Sequence, residues 1–300
     1  MSDDESIPDL LLIGTITADI DLNGNRVPGG TVFYSAITAA RLGMKVGIVT
    51  RPRNDISFDG LLDGAQVAWM QPPSTLSFRN IYQAGERVQY IQDRERGVLP
   101  LGANDIPPQW TKAPMVHLAP VANDVEPSLA RMFKDSTVLA TPQGWLRTWD
   151  NVGRILFMPR RWGRNDLQNI ELVVLSDEDL HGDQEQLGLF IRNIPVVVMT
   201  TGRKGCLVYS QDSCNEVPAF PTTAVDPTGA GDSFATAFLI HYFFDHDPME
   251  AAIFANCVAS FAVEGVGASS IPTPHDVEQR LKQNGFEHVS TRLPGTTQPT

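Results

Sequence analysis

Short runs of consecutive apolar residues recur along the chain. They include Leu10-Leu-Leu-Ile13, Val46-Gly-Ile-Val-Thr50, Met115-Val-His-Leu-Ala119, Thr137-Val-Leu-Ala-Thr141, Leu172-Val-Val-Leu-Ser176 and Pro195-Val-Val-Val-Met-Thr200. Continuous rather than alternating hydrophobicity marks strands covered on both faces, as in parallel sheets flanked by helices. Helical stretches fall between them. Thr31 to Leu42 is Ala-rich and closed by Gly43, a helix appears near Glu126 to Phe133, and another runs from Pro248 to Glu264. Thr75 to Val98 has a different texture: Phe78, Asn80, Tyr82 and Arg87 to Ile91 alternate around Gly85, which predicts an antiparallel hairpin exposed on one side. Such an insertion is either a lid that keeps water from a reaction or an edge ornament. Arg154 to Trp162, with Trp149 ahead of it, yields no period.

Composition narrows the picture. The 300 residues are 42% hydrophobic and 19% charged, enough for a sizeable core. A formal net charge of -12 disfavours nucleic acid and anionic membrane as partners. Cys206, Cys214 and Cys257 lack metal-ligand spacing and read as reduced thiols. The start, Met-Ser-Asp-Asp-Glu-Ser, is acidic where a secretory leader is basic, so the expected compartment is the cytoplasm.

The chemistry gathers at Asp226-Pro-Thr-Gly-Ala-Gly-Asp232, which runs into Ser233-Phe-Ala-Thr-Ala-Phe-Leu-Ile240. Phe234, Phe238 and His241 or Tyr242 recur at helical spacing, predicting a helix with one inward face. A helix N-terminus presents unpaired N–H groups and partial positive charge, and small residues there let an anion approach. A carboxylate at a phosphate seat makes sense if Asp232 takes a proton from a hydroxyl that attacks the phosphate. The plainer alternative is a Gly-rich turn with a first-turn acid matched to the helix dipole.

Other candidates are each open to two readings. Asp19, with Asp21 as a competitor, is either a crevice carboxylate for substrate hydroxyls or a strand-end acid. Gly29-Gly30 brings backbone amides close to a ligand or makes a tight turn. Gln143 and Arg147 contact substrate or pair at the surface. Asp177-Glu-Asp179 orders Mg²⁺ through waters or matches a helix dipole. Thr200-Thr-Gly202-x-x-Gly205 wraps a nucleotide or opens a hairpin, and Asn256 borders an adenine or is a satisfied interior amide. Walker-type, Rossmann-type, zincin and nucleophile-elbow signatures do not occur.

These features, in this order, resemble the ribokinase or phosphofructokinase-B family of carbohydrate kinases. Asp226 to Phe234 looks like the family's C-terminal signature. Gly14-Thr-Ile-Thr-Ala-Asp19, Gly29-Gly30, Thr200 to Gly205 and Asn256 match weaker positions, and the likeness spans about Asp9 to Leu281. The resemblance implies a doubly wound α/β fold, mostly parallel, with helices on both faces and a small β lid. It implies one kinase domain over residues 1–285, lid parts near 20–30 and 74–98, and a disordered tail over 286–300. It further implies an ATP-dependent kinase acting on a small sugar or polyol, with Mg²⁺, possible K+ and a monomeric or homodimeric state. Asp232 would be the base, and the amides of Gly229, Ala230 and Gly231 the anion hole. Asp19, Gly29, Gly30, Tyr34, Gln143 and Arg147 would face the acceptor. Thr200, Gly202, Gly205, Thr228 and Asn256 would lie along ATP, Asp179 would hold the Mg²⁺ shell, and Asp226 with the 265–269 region would border a monovalent cation.

Three departures bear on the acceptor. Tyr34 stands where ribokinases and fructokinases usually carry Asn, Ser176-x-x-Asp179 replaces Asn-x-x-Glu, and the lid looks trimmed between Asp19 and Gly29. Tyr34, Gly205-Cys206, Val217-Pro-Ala-Phe220 and the Gln143/Arg147 pair are similar to the myo-inositol kinase branch. Nucleoside kinases, with Phe33, Tyr34 and Phe78 available for stacking, and a non-catalytic binding protein on the same fold are the rival expectations.

Overall fold

The computed structural model describes residues 6–20, 24–51, 64–69, 76–83, 86–92 and 98–291. Asp21 and parts of the expected lid lie outside them. In chain order the elements are β1 (Leu10–Ile13), β2 (Thr17–Ile20), β3 (Arg26–Gly29), α1 (Thr31–Arg41), β4 (Val46–Thr50), β5 (Gln66–Trp69), β6 (Ser77–Gln83) and β7 (Glu86–Gln92). Then follow β8 (Met115–Leu118), β9 (Thr137–Ala140), β10 (Arg147–Trp149), β11 (Ile155–Phe157), β12 (Leu172–Ser176), α2 (Asp177–Leu180) and α3 (Gln184–Asn193). The chain continues through β13 (Val196–Thr200), β14 (Gly205–Ser210), β15 (Ser213–Pro218), α4 (Ala230–Asp245), α5 (Pro248–Ala262) and α6 (Pro274–Gln283).

The apolar runs assemble into one nine-stranded sheet, ordered β15-β14-β13-β12-β9-β8-β1-β4-β5. From β13 to β5 the strands are parallel, and β14 and β15 add an antiparallel edge. Alternate residues of one run enter opposite layers, as the strand period requires. Leu10 and Leu12 join the core beneath α1, α4, α5 and α6, while Leu11 and Ile13 join the core on the α3 side. The segment Pro127–Met132, where a helix was expected, is a 3-10 turn; its bonds run Leu129 N to Glu126 O and Phe133 N to Ala130 O. Six residues opened by proline are too few to recover the cost of nucleating an α-helix.

α4 departs from its expected amphipathic form. Every residue from Ser233 to Tyr242 is buried, because α1 and α5 flank the helix while the sheet covers it from below. Phe234, Phe238 and Tyr242 stack one above the next along it. The helix is therefore a pillar of the core, and its N-terminus is fixed by packing along its length.

A second sheet, ordered β3-β2-β6-β7, forms the lid. The stretch expected as a turn-rich connection is a β2–β3 hairpin, and β2 also pairs in parallel with β6. The Trp- and Arg-rich stretch that showed no period contributes the β10–β11 hairpin. It bonds to the lid through Ile91 N to Gly153 O and a Tyr90–Arg154 bridge. Trp149 and Ile155 rest on the lid's apolar patch of Leu76, Phe78 and Ile91. Beyond Gly285, where a loose tail was expected, Phe286 packs against Phe220, Val289 is buried, and Ser290 O lies 3.1 Å from His241 Nε2. These contacts hold the chain to at least Ser290; residues 292–300 lie outside the described residues.

His117, in the middle of β8, is wholly buried between hydroxyls, with Nδ1 3.4 Å from Ser35 Oγ and Nε2 3.1 Å from Thr141 Oγ1. Burial pushes its pKa down to about 3, so the native ring stays neutral while the unfolded ring takes a proton below about 6.5. Stability should therefore fall as pH drops from about 6.5 toward 3. His117→Gln keeps hydrogen-bonding capacity but cannot titrate. We expect its urea midpoint to change less between pH 6.5 and 4.5 than that of the wild type; equal slopes would remove His117 as the source.

Candidate active site

Gly229 caps α4 with φ 80°, a left-handed conformation that L side chains rarely adopt. A Cβ there would also lie 2.2 Å from the Tyr34 ring, so two independent constraints reserve the position for glycine. The turn before it is stapled. Asp226 Oδ1 accepts from Thr228 N (2.9 Å) and its Oδ2 from Gly267 N (3.1 Å), while Val225 N and Asp226 N both donate to Val263 O. The α-helical ladder begins at Ser233 N to Gly229 O. Of the three amides expected in the anion hole, that of Ala230 donates to Pro227 O at 3.2 Å, which removes it from the set in this state. Among the described residues the N–H groups of Gly229 and Gly231 have no such partner, and the side of Gly231 that would carry a Cβ faces open space. The result is a small, rigid, positively polarised seat with room above it.

Asp232 sits in the first turn of α4 beside this seat. Some of its surface reaches solvent, yet protein crowds it closely. Desolvation is the main cause that lifts its carboxyl to a pKa of about 6. The nearby charges of Asp179 and Asp19 raise it further, whereas a hydrogen bond from Thr31 and the charge of Arg147 oppose the rise. Tyr34 lies among the same carboxylates. Its phenol is pushed above its ordinary range by burial and then by Asp19, Asp232 and Asp226, so it stays neutral. Its ring packs edge-on against Phe33 and forms the floor under Gly229.

The fold brings the remaining acceptor-side candidates to the same end of the sheet. Asp19 is not at the tip of β1, as expected, but on the central lid strand β2, opposite Val27 and Phe78. Its carboxylate crosses the face of Gly29, where an added Cβ would meet Asp19 Oδ2 at 2.3 Å. Gly30 caps α1 at φ 85°, and an added Cβ would lie 2.6 Å from Thr17 Oγ1. Gln143 Nε2 donates to Thr31 Oγ1 (2.6 Å), and Arg147 Nη2 donates to Gln143 Oε1 (2.9 Å).

The nucleotide-side candidates divide. Thr200 ends β13 with Oγ1 donating to Leu175 O, and the turn from Gly202 leads to Gly205, whose carbonyl accepts from Thr201 N and Oγ1. Thr228 N is committed to Asp226. Asn256, expected either beside an adenine or as an interior amide, is buried, and its Nδ2 donates to Val217 O (3.2 Å) and Pro218 O (3.3 Å), so its amide ties α5 to the sheet edge.

Asp179 Oδ2 accepts from Ser176 N and Oγ in a capping box, which fixes the carboxylate within electrostatic reach of Asp232. Among the described residues Asp19, Asp179 and Asp232 do not close to the spacing of a direct metal-ligand set, so Asp179 is the candidate to hold a hydrated divalent cation such as Mg²⁺ through its waters. Another group able to offer metal ligands, His241 with Asp245 and Glu250, lies at the far end of α4, roughly 20 Å away by helix rise.

Two contributors escaped the sequence. Thr31 read only as a helix start; the signal was a hydroxyl directly after Gly29-Gly30. Asp124, fully buried, accepts from Thr15 N (2.8 Å), Val121 N (2.7 Å) and Ala122 N (3.0 Å), joining the loops after β1 and β8. Its donors precede it in the loop or lie 109 positions away, so no local turn motif marks it in the sequence.

Among the described residues, no helix is long and apolar enough to cross a membrane. Comparison with known proteins places the chain in a family. The profile of the pfkB family carbohydrate kinases matches residues 171–276. Cytidine kinase of Thermococcus kodakarensis is 30% identical over 262 residues, covering 78% of this chain and 88% of that one. Inositol 3-kinase of Arabidopsis thaliana is 39% identical over 118 residues, 37% of this chain and 32% of that one. A pyrophosphate-dependent kinase of the ribokinase family, solved with a pyrophosphate analogue and myo-inositol, superposes with a TM-score of 0.72 at 22% identity, covering 90% of this chain and 99% of that one. With its signature at the head of a buried helix and a relative matched along most of its length, the chain belongs to the pfkB family of carbohydrate kinases.

Proposed function

We propose that this protein transfers the γ-phosphoryl group of ATP to a hydroxyl of a small polyol, with myo-inositol the leading acceptor. The observation that carries the reading is the Asp232 carboxyl, raised to about 6 and set beside the open amides at the head of α4. A base poised slightly below neutral is ionised at working pH and still accepts a proton readily. Asp232 takes the proton from the acceptor hydroxyl as its oxygen attacks phosphorus. The amides of Gly229 and Gly231, backed by the helix dipole, hold charge on the transferred group. Asp19 and the neutral Tyr34 phenol orient acceptor hydroxyls, and the lid excludes competing water. Mg²⁺, held through water by Asp179, would supply neutralising charge to the phosphates. K+ would border Asp226, where that carboxylate joins two loops.

A small polyol is favoured over a nucleoside because the aromatic candidates for stacking are occupied. Phe33, Tyr34 and Phe78 are 4%, 5% and 4% exposed, the first two beneath α4 and the third in the lid core. The similarity to a cytidine kinase supports nucleoside phosphorylation as the second reading, and the pyrophosphate-dependent neighbour makes pyrophosphate the donor to test beside ATP.

The screen that decides pairs ATP or pyrophosphate with myo-inositol, fructose, ribose and cytidine, and identifies the phosphorylated product. Inositol phosphate from ATP is expected. Cytidine monophosphate alone would establish the second reading, turnover with pyrophosphate alone would replace the donor, and no product from any pair would end the kinase assignment. Asp232→Asn should lower kcat on the order of a hundred- to ten-thousandfold while ATP binding, measured by calorimetry, is retained. Since the base works ionised, kcat/KM should fall about tenfold per unit as pH drops below about 6; a profile flat down to pH 4.5 contradicts the assignment.

A further inference from the structure

We propose that Thr31 is a positioning residue for Asp232, and that Arg147 and Gln143 set it through a directional chain of hydrogen bonds, Arg147 to Gln143 to Thr31 to Asp232. The inference rests on the reading of Asp232 as the base and adds how that base is held.

The direction of each link follows from the one before. A guanidinium can only donate, so the group 2.9 Å from Arg147 Nη2 must be the carbonyl oxygen of Gln143. That settles the orientation of the amide, whose Nε2 therefore donates to Thr31 Oγ1 at 2.6 Å. The Thr31 oxygen has now accepted, and its single proton goes to the remaining partner, the Asp232 carboxylate. Thr31 is completely buried as the first residue of α1, directly after the constrained Gly30, so its hydroxyl has little freedom to turn elsewhere. Gln143 follows β9 on a tight turn and Arg147 opens β10. Three separate elements thus converge on one carboxylate of α4. Gln143 and Arg147, expected to touch the acceptor, are engaged with the base's support.

The chain counters its surroundings. Asp19 from the lid and Asp179 from α2 face Asp232 with like charge, and Tyr34 offers only a neutral phenol. Against them stand the Thr31 hydroxyl and the charge of Arg147, which favour the ionised form. Removing the Thr31 hydroxyl should therefore move the acid limb of the activity profile to higher pH, beyond any loss from misorientation.

The test is the pH profile of kcat/KM for wild type, Thr31→Val, Thr31→Ser and Gln143→Leu, with thermal melts to confirm folding. Thr31→Val should lower kcat/KM on the order of tenfold at pH 6 and recover much of that loss by pH 8.5. Thr31→Ser should restore the wild-type limb. Gln143→Leu, at a half-buried site, leaves the Thr31 hydroxyl unanchored and should shift the limb the same way by less; it carries the test if Thr31→Val does not fold. An unmoved limb, with the change confined to acceptor KM, overturns the proposal and returns Gln143 and Arg147 to acceptor binding. Failure of the base assignment is separable, because it would show first as a wild-type profile with no limb near pH 6.

Discussion

The burial of α4 on every side is the constraint from which the site follows. A surface helix can rock on one face, but a helix enclosed by α1, α5 and the sheet holds its first turn to within side-chain packing distances. Catalysis by preorganised dipoles needs that immobility, since amides that must reorient as charge develops lose much of their value. The packing extends to the turn itself. The Tyr34 ring beneath Gly229 lets the backbone lie flat on an aromatic floor, and Asp226 ties the turn to the loop after α5.

On that fixed frame the chain concentrates negative charge. Asp19, Asp179 and Asp232 come from the lid, from α2 and from α4. Burial does most to favour a protonated Asp232, and the like charges of Asp179 and Asp19 add to it. Thr31 and Arg147 bring the balance back toward ionisation, and the carboxyl settles at about 6. On the reading of Asp232 as the base, burial first and like charge second are what make it willing to take a proton.

What the sequence revealed and what it hid divide along a physical line. Buried parallel strands such as β1, β12 and β13 were legible because both faces need apolar residues, and the lid hairpin because a half-exposed sheet must alternate. The head of α4 was legible because glycine and carboxylate occur together there for local reasons. The direction of a side chain was not. Asn256 sits on a helix face that sequence alone leaves open to a nucleotide or to interior carbonyls, and only the structure shows its Nδ2 turned to Val217 O and Pro218 O. The β10–β11 hairpin has strands too short to show a period and exists because the lid supplies its partners. Thr31 looked like an ordinary first helical residue, since its role depends on Gln143, 112 positions away.

That hairpin ties two parts of the molecule together. Arg147 begins β10, and the loop closing the hairpin is hydrogen-bonded to lid strand β7 through Gly153 and Ile91. The lid sheet and the Arg147 guanidinium are thus mounted on one bracket. A change that loosens the Gly153–Ile91 bond is therefore also felt at Arg147, across a strand only three residues long.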